Sequence, residues 1–427
     1  MHRAQAWLGE RVPASSLAAL RIAFGALMVV ATIRFAALGW IDAQYVRPQF
    51  HFTYFGFGWV RPWPTPWLYV HFAALGLAAA MVMVGAFHRV SSIAFVLLFG
   101  YAELLDVTTY LNHYYLITLV GVLMVFTPAA NVMSVDAWRA RRAGRPLPES
   151  VPFAAVFVFR AQLAIVYFFA GVAKLNADWL FHAEPMSTWL FARSDLPIVG
   201  GWLAQPWLAF AMSWAGALFD LTIPLWLSLR RTRAIAYAIV VCFHVATWLL
   251  FPIGMFPWIM IGLTPIFFEP AGARSPGVLG RGPMFATIAW LALQIAMPLR
   301  HHLYDGDVLA TEEGFRWSWL VMIVERQGLT TFRVVTDDGR THIEEPDDLT
   351  ELQRRMMATQ PDLILQYAHH IHDRHEGDVR VYADAWVSTN GHPRRRLVDP
   401  DVDLAHESDS LFGFPWVLTE DDPRGAR

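Results

Sequence analysis

The stretch Val166-Tyr-Phe-Phe-Ala-Gly-Val-Ala-Lys174-Leu-Asn-Ala-Asp-Trp179 closes an apolar run that begins near residue 153, and it holds the single lysine of a 427-residue chain. A run of about 20 apolar residues crosses a bilayer as a helix. An ionisable group at that depth marks a functional site unless it only anchors a helix end at the interface. The other 32 basic residues are arginine. The difference is chemical, because a guanidinium stays protonated whereas a lysine amine gives up its proton when desolvated or set near positive charge. Lys174 is therefore read either as a snorkelling anchor or as a base.

Working outward, the rest of the chain is of the same kind. Hydrophobic residues make up 56% and charged residues 16%, a membrane-protein balance. The net charge of −3 argues against a nucleic-acid partner, and the lone Cys242 excludes an intrachain disulfide. The first apolar run carries Arg21 and Arg34 and no small-residue cleavage site, so it reads as a span rather than a signal peptide. Runs of spanning character lie at about 17–38, 67–87, 90–107, 110–129, 153–174, 207–229, 233–252, 254–269 and 283–300. The third and eighth are short or polar-interrupted. With the N-terminus cytoplasmic, inner segments hold twelve arginines and outer loops three, as the positive-inside rule requires. The expected fold is an α-helical membrane bundle of about nine transmembrane helices over residues 1–300. A small extracytoplasmic α+β domain follows over residues 301–427. In that tail Thr330–Val335 alternates like a strand, Asp337-Asp338-Gly339 is a turn, and Arg340–Ile343 is the return strand. Residues 349–373 read as helix broken at Pro361, and 379–388 as a strand before an Asn390-Gly391 turn.

Polar residues inside the runs need partners or a wet cavity. Asn112 and His113 open the fourth run, at the same membrane end as Lys174, and with it make an acid–base constellation. Arg160 and Asp220 read as paired charges that hold helices together, and His244 as a core histidine or a ligand contact. The cluster His369-His370-x-His372-x-x-His375 lies on one exposed helix face with no Cys or carboxylate partner in view, so no metal site is expected.

The segment from Arg160 and Gln162 through Val166-Tyr167-Phe168, Ala170-Gly171-Val172, Lys174-Leu175 and Ala177-Asp178-Trp179 closely resembles vitamin K-dependent γ-glutamyl carboxylases, whose membrane part is of the HTTM type. Further motifs recur in order: Asn112-His113, Ser134-Val135-Asp136, Phe243-His244 with Ile253-Gly254-Met255-Phe256, Trp317-Ser318-Trp319, Gln366-Tyr367-Ala368, Trp386-Val387-Ser388 and Asp399-Pro400-x-Val402-Asp403. The resemblance implies that a lysine deprotonates a reduced vitamin K-type naphthoquinol, O2 adds, and a strong alkoxide base and the quinone epoxide result. The base then removes a γ-proton from a glutamate side chain, which captures CO2. On this chain the resemblance makes Lys174 the base, where Ala173 replaces the first of a family lysine pair. His113 and Asn112 would orient the quinone anion, with His244, Tyr167, Phe243 and Met255 binding the quinone and Ser318 and Trp319 the peptide. Menaquinol is the expected quinone, because this short form resembles a bacterial member. The partners implied are membrane lipid, the quinone and a glutamate-containing extracytoplasmic peptide. A family tyrosine and histidine near the glutamate site are replaced by Phe315 and Val324. Two alternatives therefore stand beside carboxylation: quinol epoxidation alone, and a membrane transporter or binding protein.

Overall fold

The computed structural model describes residues 2–269 and 274–426. Each of the nine apolar runs is helical. They form α1 (Ser15–Ala37), α2 (Thr65–Val84), α3 (His88–Leu104), α4 (Asn112–Phe126), α5 (Phe153–Ala173), α6 (Pro206–Ser228), α7 (Arg233–Leu250), α8 (Phe256–Leu263) and α9 (Arg281–Leu299). By length and composition six of them, α1, α2, α5, α6, α7 and α9, are long and apolar enough to cross a membrane. As expected, the third and eighth runs form shorter helices; α4, from the fourth run, is short as well. The shortening has local causes. Before α4 the chain is held in a 3-10 turn, Val107–Thr109, capped by the Asp106 carboxylate, and Pro128 follows its end. Pro257 starts α8, and Pro265 tightens its end into the 3-10 turn Thr264–Phe267.

Short as they are, these helices still connect the two ends of the bundle. At one end β1 (Arg11–Pro13) pairs antiparallel with β2 (Ser150–Pro152), and Arg11 bridges to Ser275. The segment after α8 therefore returns to the end where α5 begins. Gln5 accepts from the backbone of Leu279, which seats the start of α9 there too. Arg21, fully buried in α1, clamps this half. Its guanidinium donates to the carbonyls of Val82 and Ala129 at 3.0 Å each, of Met133 at 2.6 Å and of Met83. These carbonyls lie at the end of α2 and just beyond α4, where helices leave acceptors unpaired.

The tail covers the opposite end. Its sheet has the order β4-β3-β5-β6, built from β3 (Arg326–Val335), β4 (Thr341–Glu344), β5 (Arg380–Thr389) and β6 (Arg395–Arg396). β3 and β5 pair antiparallel throughout, from Arg326 opposite Thr389 to Val335 opposite Arg380. Two helices, α10 (Glu351–Met357) and α11 (Pro361–Arg374), pack on the sheet. A Thr350–Gln353 capping box starts α10. The apolar stripe of α11, Leu363, Ile364, Tyr367, Ala368 and Ile371, is buried with Phe332, Val334, Val381, Ala383 and Ala385. Phe52, Tyr54 and Val107, from the loops after α1 and α3, join the same core. Gln366 exchanges two 2.9 Å hydrogen bonds with the backbone of Thr53, and Gln353 donates to Asp106 at 2.8 Å. The tail is therefore docked, not tethered.

Because five of the nine bundle helices, α5 to α9, lie between residues 142 and 300, reporters fused after Arg142 and after Arg300 should read opposite sides of the membrane. Matching readouts from a phosphatase and a fluorescent-protein fusion would mean that one of the short helices does not traverse.

Candidate active site

Lys174 is the residue on which α5 ends, with its N–H bonded to the carbonyl of Gly171. That glycine decides what Lys174 meets. A Cβ on Gly171 would lie 2.8 Å from the backbone nitrogen of Leu221, so the missing side chain lets α5 and α6 touch. Asp220, one residue earlier on α6, is thereby brought against the amine. Lys174 Nζ donates to Asp220 Oδ2 at 2.9 Å, to Ala170 O at 3.1 Å and to Val321 O of the tail at 3.2 Å. All three ammonium donors are used, and the residue is only 5% exposed. The Trp179 ring lies 5.2 Å from Nζ, within cation–π range.

The amine opens on a small chamber of about 70 Å³ lined by Tyr167, Asp220, Phe243, His244, Phe256 and Val321 among others. Tyr167 Oη lies 3.0 Å from His244 Nε2. The other ring nitrogen of His244, Nδ1, is buried with no partner among the described residues. A larger cavity of about 350 Å³ adjoins it, lined by Asn112, His113, Tyr114, Met255 and Phe256, with Arg34 and Glu103 at its polar side. Ile253, Phe256, Val321 and Met322 line both spaces and form the wall between them. The larger volume is in the range of drug-sized ligands, about 300–1,000 Å³.

The tail supplies that wall with a contorted segment. Trp317, Trp319 and Met322 all have positive φ, at 64°, 56° and 51°. Bulky residues there cost about 1–3 kcal/mol each and need surroundings that hold them. Tyr110 Oη accepts from Trp317 N at 2.8 Å and donates to Asn112 Oδ1 at 3.1 Å, and Trp319 stacks on Tyr115 at 4.9 Å. Consecutive carbonyls of the segment, Leu320 and Val321, accept from Asn112 Nδ2 at 3.5 Å and from Lys174 Nζ.

The residues expected from sequence are therefore sorted into two rooms. Lys174, Tyr167, Phe243 and His244 share the small chamber, while Asn112, His113 and Met255 line the large cavity. His113 does not contact Lys174; its ring lies against Tyr114 and Phe256. Asp220 is not the partner of Arg160, contrary to the reading of those two as a clamp. Arg160 pairs with Glu269 at 2.7 Å and donates to Ile266 O, which leaves Asp220 to Lys174. Depth counting misses this contact because α6 begins above the end of α5, packed on the 178–203 segment: Trp179 Nε1 donates to Ser213 O, and Trp214 Nε1 to Leu180 O.

Ser318 and Trp319 are buried, at 2% and 1% exposure. Ser318 Oγ donates back to Gly314 O at 2.6 Å. Their neighbours Phe315, Arg316 and Trp317 instead line a third cavity of about 440 Å³ in the tail, with Arg300 and Glu313. Arg300 lies over the Trp317 ring at 5.0 Å, and its Nε is buried without a partner among the described residues.

The family model of the HTTM domain matches residues 10–271, and that of the vitamin K-dependent gamma-carboxylase lumenal domain matches residues 281–422. The chain belongs to the vitamin K-dependent gamma-carboxylase family. No solved structure matches it.

Burial pushes the Glu313 carboxyl up to about 7, against the opposing pull of the Phe414 N–H that it accepts. A folded-state value above the unfolded one means the contribution to stability is fully present below about pH 4.5 and is lost as pH rises through about 7. Glu313→Gln keeps the acceptor oxygen and removes the titration. It should raise the Tm relative to the unsubstituted protein at pH 8, with the advantage vanishing by pH 4; an equal difference at both pH values would contradict the assignment.

Proposed function

We propose that this carboxylase-type membrane protein oxygenates a naphthoquinol, with Lys174 as base, and uses the product to carboxylate an extracytoplasmic glutamate. The observation that carries this reading is the sole lysine, held at a small, mostly apolar chamber that shares a wall with the cavity of Asn112 and His113. Reduced vitamin K or menaquinol, with O2 and CO2, supplies the oxidising and carboxylating chemistry. The chain's own residues bind, orient and move protons. The large cavity, mostly apolar with Arg34, Glu103, Asn112 and His113 among its polar groups, fits a quinone head and part of its tail. His113 and Asn112 present donors to a quinone oxygen, with His244 and Tyr167 on the far side of Phe256.

An ammonium has no lone pair, so base action requires Nζ to release a proton first. Asp220, 2.9 Å away, is the acceptor at hand. The pair then exchanges one proton as a unit. Closure by the 317–322 segment keeps solvent from a strong base formed inside. We place the N-terminal end in the cytoplasm of a bacterium and the tail outside, because twelve arginines against three favour that orientation.

The glutamyl acceptor we assign to the tail cavity of Arg300 and Trp317 rather than to Ser318 and Trp319, which are packed away. The Arg300 guanidinium, set over the Trp317 indole at the cavity wall, suits a carboxylate. Epoxidation without carboxylation is the second reading, favoured by Phe315 and Val324 at positions where the family carries a tyrosine and a histidine. Purified protein with reduced menaquinone, O2 and labelled bicarbonate separates the two, with epoxide and fixed label measured independently.

Lys174→Ala should abolish epoxide formation, and Lys174→Arg should be nearly as damaged because it keeps charge without proton acceptance. Asp220→Asn should lower the rate by about 10²–10⁴, the usual contribution of a positioned proton acceptor. Near-normal turnover in Lys174→Arg would return the lysine to an anchoring role.

Arg300→Gln should raise the KM for a glutamyl peptide by about tenfold to a hundredfold, the worth of a hydrogen bond to a charged group. Epoxide formed without peptide should be unaffected. An unchanged KM would move the acceptor elsewhere.

A further inference from the structure

The histidine-rich end of α11 does not lack carboxylates, as its sequence suggested. His370 meets Asp348, His375 meets Glu344, and His372 meets Asp378. In two places a pair of imidazoles converges on one carboxylate oxygen, with all three ligand atoms within 4.8 Å of one another: His342, Glu344 and His375, and His372, Asp378 and His406.

We propose that His372, Asp378 and His406 form a binding site for a borderline divalent cation of the zinc type. The convergence of the three ligand atoms is the first argument. His406 Nδ1 lies 2.7 Å from Asp403 Oδ2 and its Nε2 lies 3.0 Å from Asp378 Oδ1, so one ring nitrogen is held by a carboxylate while the other is aimed at the cluster. His372 Nε2 approaches the same Asp378 oxygen at 3.4 Å. A single metal ion could be reached by all three atoms at once. Ligands about 2.0–2.2 Å from zinc in a tetrahedron lie roughly 3.3–3.6 Å apart; the two nitrogen–oxygen separations here are 3.4 and 3.0 Å, and all three atoms lie within 4.8 Å.

The surroundings are those of a ligand set. Asp403 behind His406 reproduces the carboxylate–histidine–metal arrangement that fixes the tautomer and raises ligand basicity. Asp403 is itself held, because its Oδ1 accepts from Val381 N at 2.9 Å and Ala405 N at 3.2 Å. Asp373 stands 3.5 Å from His372 Nδ1, and Asp337 accepts from the backbone of Asp378. No arginine pairs with Asp378 among the described residues. The other cluster differs in this respect, since Arg374 already neutralises Glu344 at 3.0 Å. Asp378 is 70% exposed, so the fourth coordination position is open to water. The ion would staple three separate segments: the end of α11, the approach to β5 and the 404–406 turn.

The test uses the full chain in detergent, stripped with EDTA and titrated with zinc alone at pH 7.5, with bound metal measured by mass spectrometry and Tm by calorimetry. One zinc per chain and a raised Tm are expected. Both should be lost in Asp378→Asn and in His406→Gln and kept in Glu344→Gln. Asp403→Asn retains the backbone contacts and should weaken binding about 10–100-fold. The proposal is overturned if the unsubstituted protein takes up no zinc, if uptake survives Asp378→Asn together with His406→Gln, or if Glu344→Gln alone abolishes it. A Tm that responds to pH and not to zinc would mean that a proton, not a metal, sits between the rings.

Discussion

The contact between Lys174 and Asp220 constrains everything around it. Two opposite charges removed from water cost several kcal/mol each in desolvation, and they are repaid only when geometry is good and the remaining donors are met. Each condition here is met by a different part of the chain. Gly171 removes the side chain that would hold α5 and α6 apart. Asp220 comes from α6 and Ala170 O from the last turn of α5. The third acceptor, Val321 O, belongs to the tail, nearly 150 residues away in sequence.

That third acceptor explains why the tail enters the bundle at all. Its 317–322 segment carries three bulky residues in the left-handed region, a conformation that local preference opposes. Membrane-side groups hold it there: Tyr110 beneath Trp317, Tyr115 against Trp319, and the two polar side chains that capture Leu320 and Val321. Trp319 consequently belongs to the apolar core of the helices, not to that of the sheet. One short stretch serves as roof for both chambers, so the amine and the Asn112–His113 pair are coupled through shared backbone without touching.

Much of this was legible in the chain. Nine apolar runs stand out against arginine-bearing loops, and all nine are helices. In the tail, strand alternation and the turn at Asp337-Asp338-Gly339 locate β3 and β4, and Pro361 separates α10 from α11. What periodicity cannot supply is the offset between neighbours. The staggered start of α6 put Asp220 beside Lys174, whereas sequence placed it with Arg160. It also could not foresee that Ser318 and Trp319 face inward, because side-chain direction in a segment with left-handed residues follows no period. Except for Asp373, the carboxylates around the α11 histidines come from β4, from Asp348 before α10, from the segment before β5 and from the 403–406 turn, so a local reading of the helix could not find them.

The reach of Val321 into the bundle also sets an order of events in biosynthesis. The helices up to α9 leave the ribosome before the segment that closes the roof. Until that segment arrives and the sheet folds behind it, the amine has two protein acceptors instead of three. The set of contacts around the amine is therefore completed only when the last part of the chain has folded. A chain that stalls before its C-terminal third would leave in the membrane a helical body of full size, with a charged pair still open to solvent.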